Sequence, residues 1–129
     1  MSTLAPPRNV YRHQLADGTT TKPGAGAERY RFDDPHIVDR FHCLEGAPTC
    51  PVCIEMPALR RAIEIDLRRP GSIPWYAVTS WTLAPDSDYY CVEPWLGLPD
   101  AIHSGLGLRW LEPGQTEKAS LRISVSTLD

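Results

Sequence analysis

Along most of the chain apolar residues recur at every second position, the period of a half-buried strand and not of a helix. Ile63, Ile65 and Leu67 alternate with Glu64, Asp66 and Arg68, which gives one buried and one solvated face. Val52, Ile54 and Met56 mark a short strand just before them. A longer one is expected where Trp75, Ala77, Thr79, Trp81 and Leu83 alternate with Tyr76, Val78, Ser80 and Thr82. Tyr89 to Val92 is β-compatible throughout, and the chain closes with Leu121, Ile123 and Val125 set against Arg122, Ser124 and Ser126. Val10 to Leu15 reads as a further short strand, and Arg29 to Asp34 alternates Tyr30 and Phe32 with charges until Pro35 stops it. Between these, Asp17-Gly18 is a turn and Thr19 to Ala27 a flexible loop. Only Pro99 to His103 looks helical, for little more than one turn. Roughly six to eight short strands without a long helix predict an all-β fold, an antiparallel β-sandwich. Residues 1–9 lack periodicity and are expected to be a disordered tip, leaving 10–129 as one sandwich domain.

Composition sharpens this picture only a little. A chain of 129 residues suffices for one domain. Thirteen prolines and nine glycines are scattered along it, which suits many turns. The net charge of −3 comes without a basic block, so there is no electrostatic footprint for nucleic acid. No apolar run reaches the length of a membrane-spanning helix, and the N-terminus lacks a signal-peptide core. The expectation is a cytoplasmic protein with no membrane partner.

The densest chemistry lies between Cys91 and Trp110, reading C-V-E-P-W-L-G-L-P-D-A-I-H-S-G-L-G-L-R-W. Glu93 puts a carboxylate at the expected end of a strand, and Pro94 withholds the next backbone donor, so pairing should stop there. Trp95, Leu96 and Leu98 supply apolar wall, while Gly97, Pro99, Gly105 and Gly107 bend the chain around them. A carboxylate among aromatic rings is a candidate general base; a solvated strand-end Glu in a surface ion pair is the plainer alternative.

The run C-V-E-P-W-L-G-L-P-D-A-I-H, followed by G-L and then L-E-P-G-Q-T, resembles the C-terminal signature of the aldose 1-epimerase (galactose mutarotase) family. The resemblance extends from Tyr90 to Val125, with Gln115 where the family usually has Glu. A looser upstream match places Pro23-Gly24, Phe32-Asp33-Asp34-Pro35 and Asp39-Arg40-Phe41 in the family's order. It implies half of a galactose-mutarotase-like supersandwich, with Glu93 as catalytic base and Asp39 contacting sugar hydroxyls. The family's N-terminal half, which carries a sugar-binding Arg and the His that acts as general acid, has no counterpart here. His103, in the loop after Glu93, is the best substitute for that acid, with a solvated loop His as the alternative. Half a sandwich leaves edges unpaired and an apolar face uncovered. The chain is therefore expected to form a homodimer, to close on itself, or to need a partner supplying the missing half.

The cysteines suggest a separate possibility. His42, Cys43, Cys50 and Cys53 cluster in H-C-L-E-G-A-P-T-C-P-V-C, and a C-P-x-C turn has the shape of a zinc knuckle. A structural zinc is one candidate, and plain reduced thiols the other.

The leading expectation is interconversion of the α and β anomers of a monosaccharide, with no cofactor required. Glu93 would be the base and Asp39 an anchor, while Trp95 and Trp81 offer faces for the sugar's C–H surface. A non-catalytic carbohydrate-binding or assembly protein of the same fold is the alternative. A zinc-stabilised interaction module is the third.

Overall fold

The period-two segments pair into two antiparallel sheets. The structure, a computed structural model, describes residues 2–3, 10–13, 20–27, 29–45, 51–84 and 86–129. Its strands in chain order are β1 (Ser2–Thr3), β2 (Val10–His13), β3 (Thr20–Gly24), β4 (Arg40–Cys43), β5 (Pro51–Met56), β6 (Arg61–Asp66), β7 (Ala77–Trp81), β8 (Cys91–Trp95) and β9 (Arg122–Thr127). One sheet runs β1-β5-β6-β9 and the other β3-β2-β4-β7-β8. A 3-10 turn, Pro57–Leu59, and a single helical turn, α1 (Ala101–Ser104), complete the regular structure among the described residues.

Packing follows from side-chain parity. Val52 and Ile65 from the four-stranded sheet meet Val78 from the five-stranded one, with Ile37, Leu44 and Leu67, in the inner core between the sheets. The residues of β7 that point the other way form a second cluster, in which Ala77 packs with Phe41, Cys43 and Leu98. Ala77, Val78, Thr79 and Ser80 are therefore all buried, and β7 is covered on both faces. The outer cover is the loop after β8. It is drawn tight where Gly97 crosses Gly107: a Cβ on Gly97 would lie 2.8 Å from the Gly107 carbonyl oxygen, and one on Gly107 would strike the Tyr76 ring at 2.7 Å. Gly107 also has a φ of 73°, a conformation that glycine adopts without penalty. A hydrogen bond from the Leu98 amide to the Leu106 carbonyl closes the crossing and lays both leucines against the sheet.

Several local expectations need correction. Pairing does not stop at Glu93: β8 runs on through Pro94 and Trp95, opposite Val78 and Ala77. It can do so because β8 is an edge strand, where a sheet tolerates proline. Thr20–Gly24, within the expected loop, is a strand paired with β2. Arg29 to Asp34 is instead a turn closed by the Asp34 amide on the Arg31 carbonyl, although Tyr30 and Phe32 still pack on the inner core. The alternation at the C-terminus makes the expected strand, and every residue of β9 is exposed, so its apolar side has no cover among the described residues. Ser2 and Thr3, within the expected disordered tip, instead pair with Cys53 and Val52 as β1, while the expectations for residues 4–9 and for Asp17-Gly18 lie outside the described residues.

His42 lies between the sheets, 1% exposed, with the Tyr30 ring edge-on at 5.1 Å. Neither ring nitrogen has a hydrogen-bond partner among the described residues. Burial, with a smaller effect from the Arg40 charge, lowers its pKa from 6.5 to about 4. The unfolded chain thus binds a proton at higher pH than the folded one. This stability is fully present above pH 6.5 and drains away as the pH falls through about 4. Denaturant titrations at about pH 7.5 and pH 4.5 should differ by roughly 2–3 kcal/mol from this group. His42→Leu should remove that part of the acid sensitivity, and an unchanged pH slope in the variant would contradict the burial argument.

Candidate functional site

The outer face of β7 and β8 gathers the aromatic and acidic residues that the sequence singled out. The register sets Trp81 opposite Cys91, Thr79 opposite Glu93 and Ala77 opposite Trp95. Directly opposed residues share a face, so Trp81, Glu93 and Trp95 project together, away from the inner core. The Trp81 Nε1–H donates to Glu93 Oε1 at 2.6 Å, and the Trp95 Nε1–H donates to Oε2 at 3.2 Å. One carboxylate is thereby held by two indoles, one on its own strand and one on the neighbour.

Each ring is steadied in turn by an aromatic neighbour. Trp95 meets Phe41 at 5.2 Å with the planes at 87°, and Trp81 meets Tyr89 at 6.0 Å and 83°. Phe41 sits under the Leu98 loop, so Trp95 is anchored on the covered side, whereas Trp81 and Tyr89 remain 37% and 44% exposed. Each carboxylate oxygen can accept more than one hydrogen bond, so both retain capacity after the indole bonds. The arrangement offers an oriented acceptor beside exposed aromatic surface, a combination suited to a ligand with hydroxyls and C–H faces.

The remaining predicted residues lie elsewhere. Asp39, exposed, has a φ of 53° in the turn just before β4. Two residues on, Phe41 falls in the same cross-strand row as Thr79 and Glu93. His103, on α1, pairs through Nδ1 with Asp100 at 2.5 Å and is 79% exposed; no hydrogen bond joins it to Glu93. The turn after α1 matches its sequence: Gln115 donates its amide to the Glu112 carbonyl and accepts from the Glu112 amide through its side chain.

The residues of the zinc expectation are spread over three surfaces. His42 faces the inner core and Cys43, next along β4, the outer cluster. Cys53 lies in the other sheet, opposite Glu64 on the side away from Val52. Cys50 lies outside the described residues. Among the described residues no group of three or more His, Cys, Asp or Glu could hold a metal ion.

Sequence reasoning gave no role to Tyr89 or Phe41, which support the two indoles. Phe41 was present as part of the Asp39-Arg40-Phe41 run, and only the strand register reveals its function. A cleft of about 780 Å³ also opens between the sheets, walled by Phe32, Ile54, Ile63 and Tyr90. Glu93 is not among its lining residues, but Tyr89 is, so the cleft and the Trp81 surface share one ring. No family model matches the chain, and neither does any curated protein or solved structure.

Burial pushes the Cys43 thiol up to about 11, and raises that of the less buried Cys53 as well. Cys53 and Cys91 are only partly buried. Brief treatment of the folded protein with a thiol reagent, read by peptide mass spectrometry, should label Cys53 and Cys91 well ahead of Cys43. Denaturant should abolish the difference, and Cys43 reacting first in the folded state would contradict the outer cluster.

Proposed function

We propose that this protein binds an aldose against the Trp81–Glu93–Trp95 face and interconverts its anomers, with Glu93 as the base. The observation that carries the reading is the double indole clamp, which fixes both oxygens of one carboxylate beside exposed aromatic surface. The resemblance of the C-V-E-P-W run to mutarotases supports the same assignment independently of geometry. In the proposed reaction Glu93 takes the proton of the C1 hydroxyl as the bond from C1 to the ring oxygen breaks. The ring oxygen receives a proton from a second donor, and the aldehyde opens. After rotation about C1–C2 the steps reverse on the other face and both groups are restored. His103 is engaged by Asp100, and the face is open, so solvent water is the donor this arrangement favours. Asp39, near the far end of the same row, is proposed as a hydroxyl anchor.

A second reading is a carbohydrate-binding protein without catalysis. It is favoured by one observation, that both Glu93 oxygens are already engaged by N–H donors. Polarimetry on freshly dissolved α-galactose and α-glucose, beside a binding titration, separates the two. The enzyme reading predicts a rate above the buffer background that falls on the order of 10²–10⁴-fold in Glu93→Gln, with much less change in affinity. Affinity without activity in the wild type would leave the binding reading. Activity untouched by the substitution would remove Glu93 from the base role.

A further inference from the structure

Among the described residues the two sheets end in four edges, and three of them carry a device against pairing with another chain. β1 is only two residues long. β3 contains Lys22 and Pro23, and β8 contains Glu93 and Pro94. Short length, proline and charge are the usual guards of an exposed edge. β9 has none of them at its centre. It pairs with β6 through six consecutive residues without a bulge, so its outer backbone edge is straight and regular. It has no proline, and its sole charge is Arg122 at one end.

Its side chains point the same way. The rows Val52–Ile65–Ile123 and Ile54–Ile63–Val125 cross the four-stranded sheet on the face turned toward the inner core. Val52 and Ile65 are buried at the start of one row, yet Ile123 and Val125 are 61% and 65% exposed where the rows end. The core surface of this sheet simply runs out into solvent at β9.

We infer that β9 is the dimerisation edge of this protein, pairing antiparallel with β9 of a second copy about a two-fold axis through Ser124. The occupant is a second copy because the strand is complementary to itself. A two-fold perpendicular to the sheet keeps the core-facing sides of both copies on one side. Centred at Ser124, it sets Ile123 opposite the partner's Val125, joining the two apolar rows end to end. Arg122 falls opposite the partner's Ser126, so the single charge of the strand never meets its own copy. The two four-stranded sheets become one sheet of eight, and the unguarded edge disappears. Nothing in this assembly involves the Glu93 face, which belongs to the other sheet.

Sedimentation velocity of the full chain between about 1 and 100 μM tests it directly. The wild type should sediment as a dimer of the 14.4 kDa chain at the upper end of that range. Val125→Lys, placing an ammonium on a side chain already exposed, should be monomeric with an unchanged circular dichroism spectrum. The register has its own test. Directly opposed residues of an antiparallel pair have Cα atoms about 4.5–5.5 Å apart, within disulfide range. Oxidised glutathione should therefore cross-link Ser124→Cys to its own copy, above the wild-type background, and leave Ser126→Cys uncross-linked. A monomeric wild type at 100 μM would overturn the inference. So would a dimer that survives in folded Val125→Lys, or a dimer whose Ser124→Cys form does not cross-link.

Discussion

The structure depends on one constraint: β7 must be covered on both faces. A strand with Val78 and Ser80 on one side and Ala77 and Thr79 on the other, all buried, cannot be served by a two-layer sandwich alone. The second sheet covers the inner side, and the loop between β8 and β9 covers the outer. Steric closeness shapes the second cover, since Gly97 and Gly107 can cross beneath it only without side chains. The same closure holds Leu98 over Phe41 and so fixes the ring against which Trp95 stands. Glu93 is thus placed by the register with Thr79 and oriented by indoles whose positions derive from β7 and its cover.

This arrangement divides the outer face into a covered half and an open half. Trp95 lies at the boundary with the covered cluster, where packing restricts its rotamer, while Trp81 and Tyr89 stand at the solvent side. The carboxylate has one bond to each half, the shorter from exposed Trp81 and the longer from Trp95, and is approachable from the Trp81 side. Binding sites gain from such preorganisation because less ordering is left for the ligand to impose. The open flank also leaves water present, which limits how far the acceptor can be strengthened by desolvation.

Much of this was legible in the sequence wherever burial is one-sided. The alternation in β5 and β6 gives strands at nearly the expected residues, because Val52 and Ile65 are buried on one face while Glu64 is exposed on the other. β4 and β3 are not legible in the sequence, for opposite reasons. R-F-H-C buries both parities and shows no alternation, and T-T-K-P-G has no apolar alternation and ends in Pro-Gly, so it reads as a loop although its backbone pairs with β2. In β8 the proline marks a strand end by sequence alone, and only the sheet order shows that the strand lies at an edge and runs on. At the site, the sequence pointed to Glu93, Trp81 and Trp95 separately, and the register is what makes them one cluster. The separation of His42 from Cys43 follows from the same parity, since adjacent strand residues face opposite ways.

The most direct test of the account is the set of indole N–H signals seen by proton–nitrogen correlation NMR. Four tryptophans give four such signals, and only Trp81 and Trp95 donate to Glu93, whereas Trp75 donates to the Ser120 carbonyl. Assigned by single substitution and titrated with galactose, the Trp81 and Trp95 signals should move together and saturate, while those of Trp75 and Trp110 stay in place. Saturating shifts confined to Trp75 or Trp110, or no shift at any indole at sugar concentrations in the tens of millimolar, would contradict the placement of an aldose on the Glu93 face.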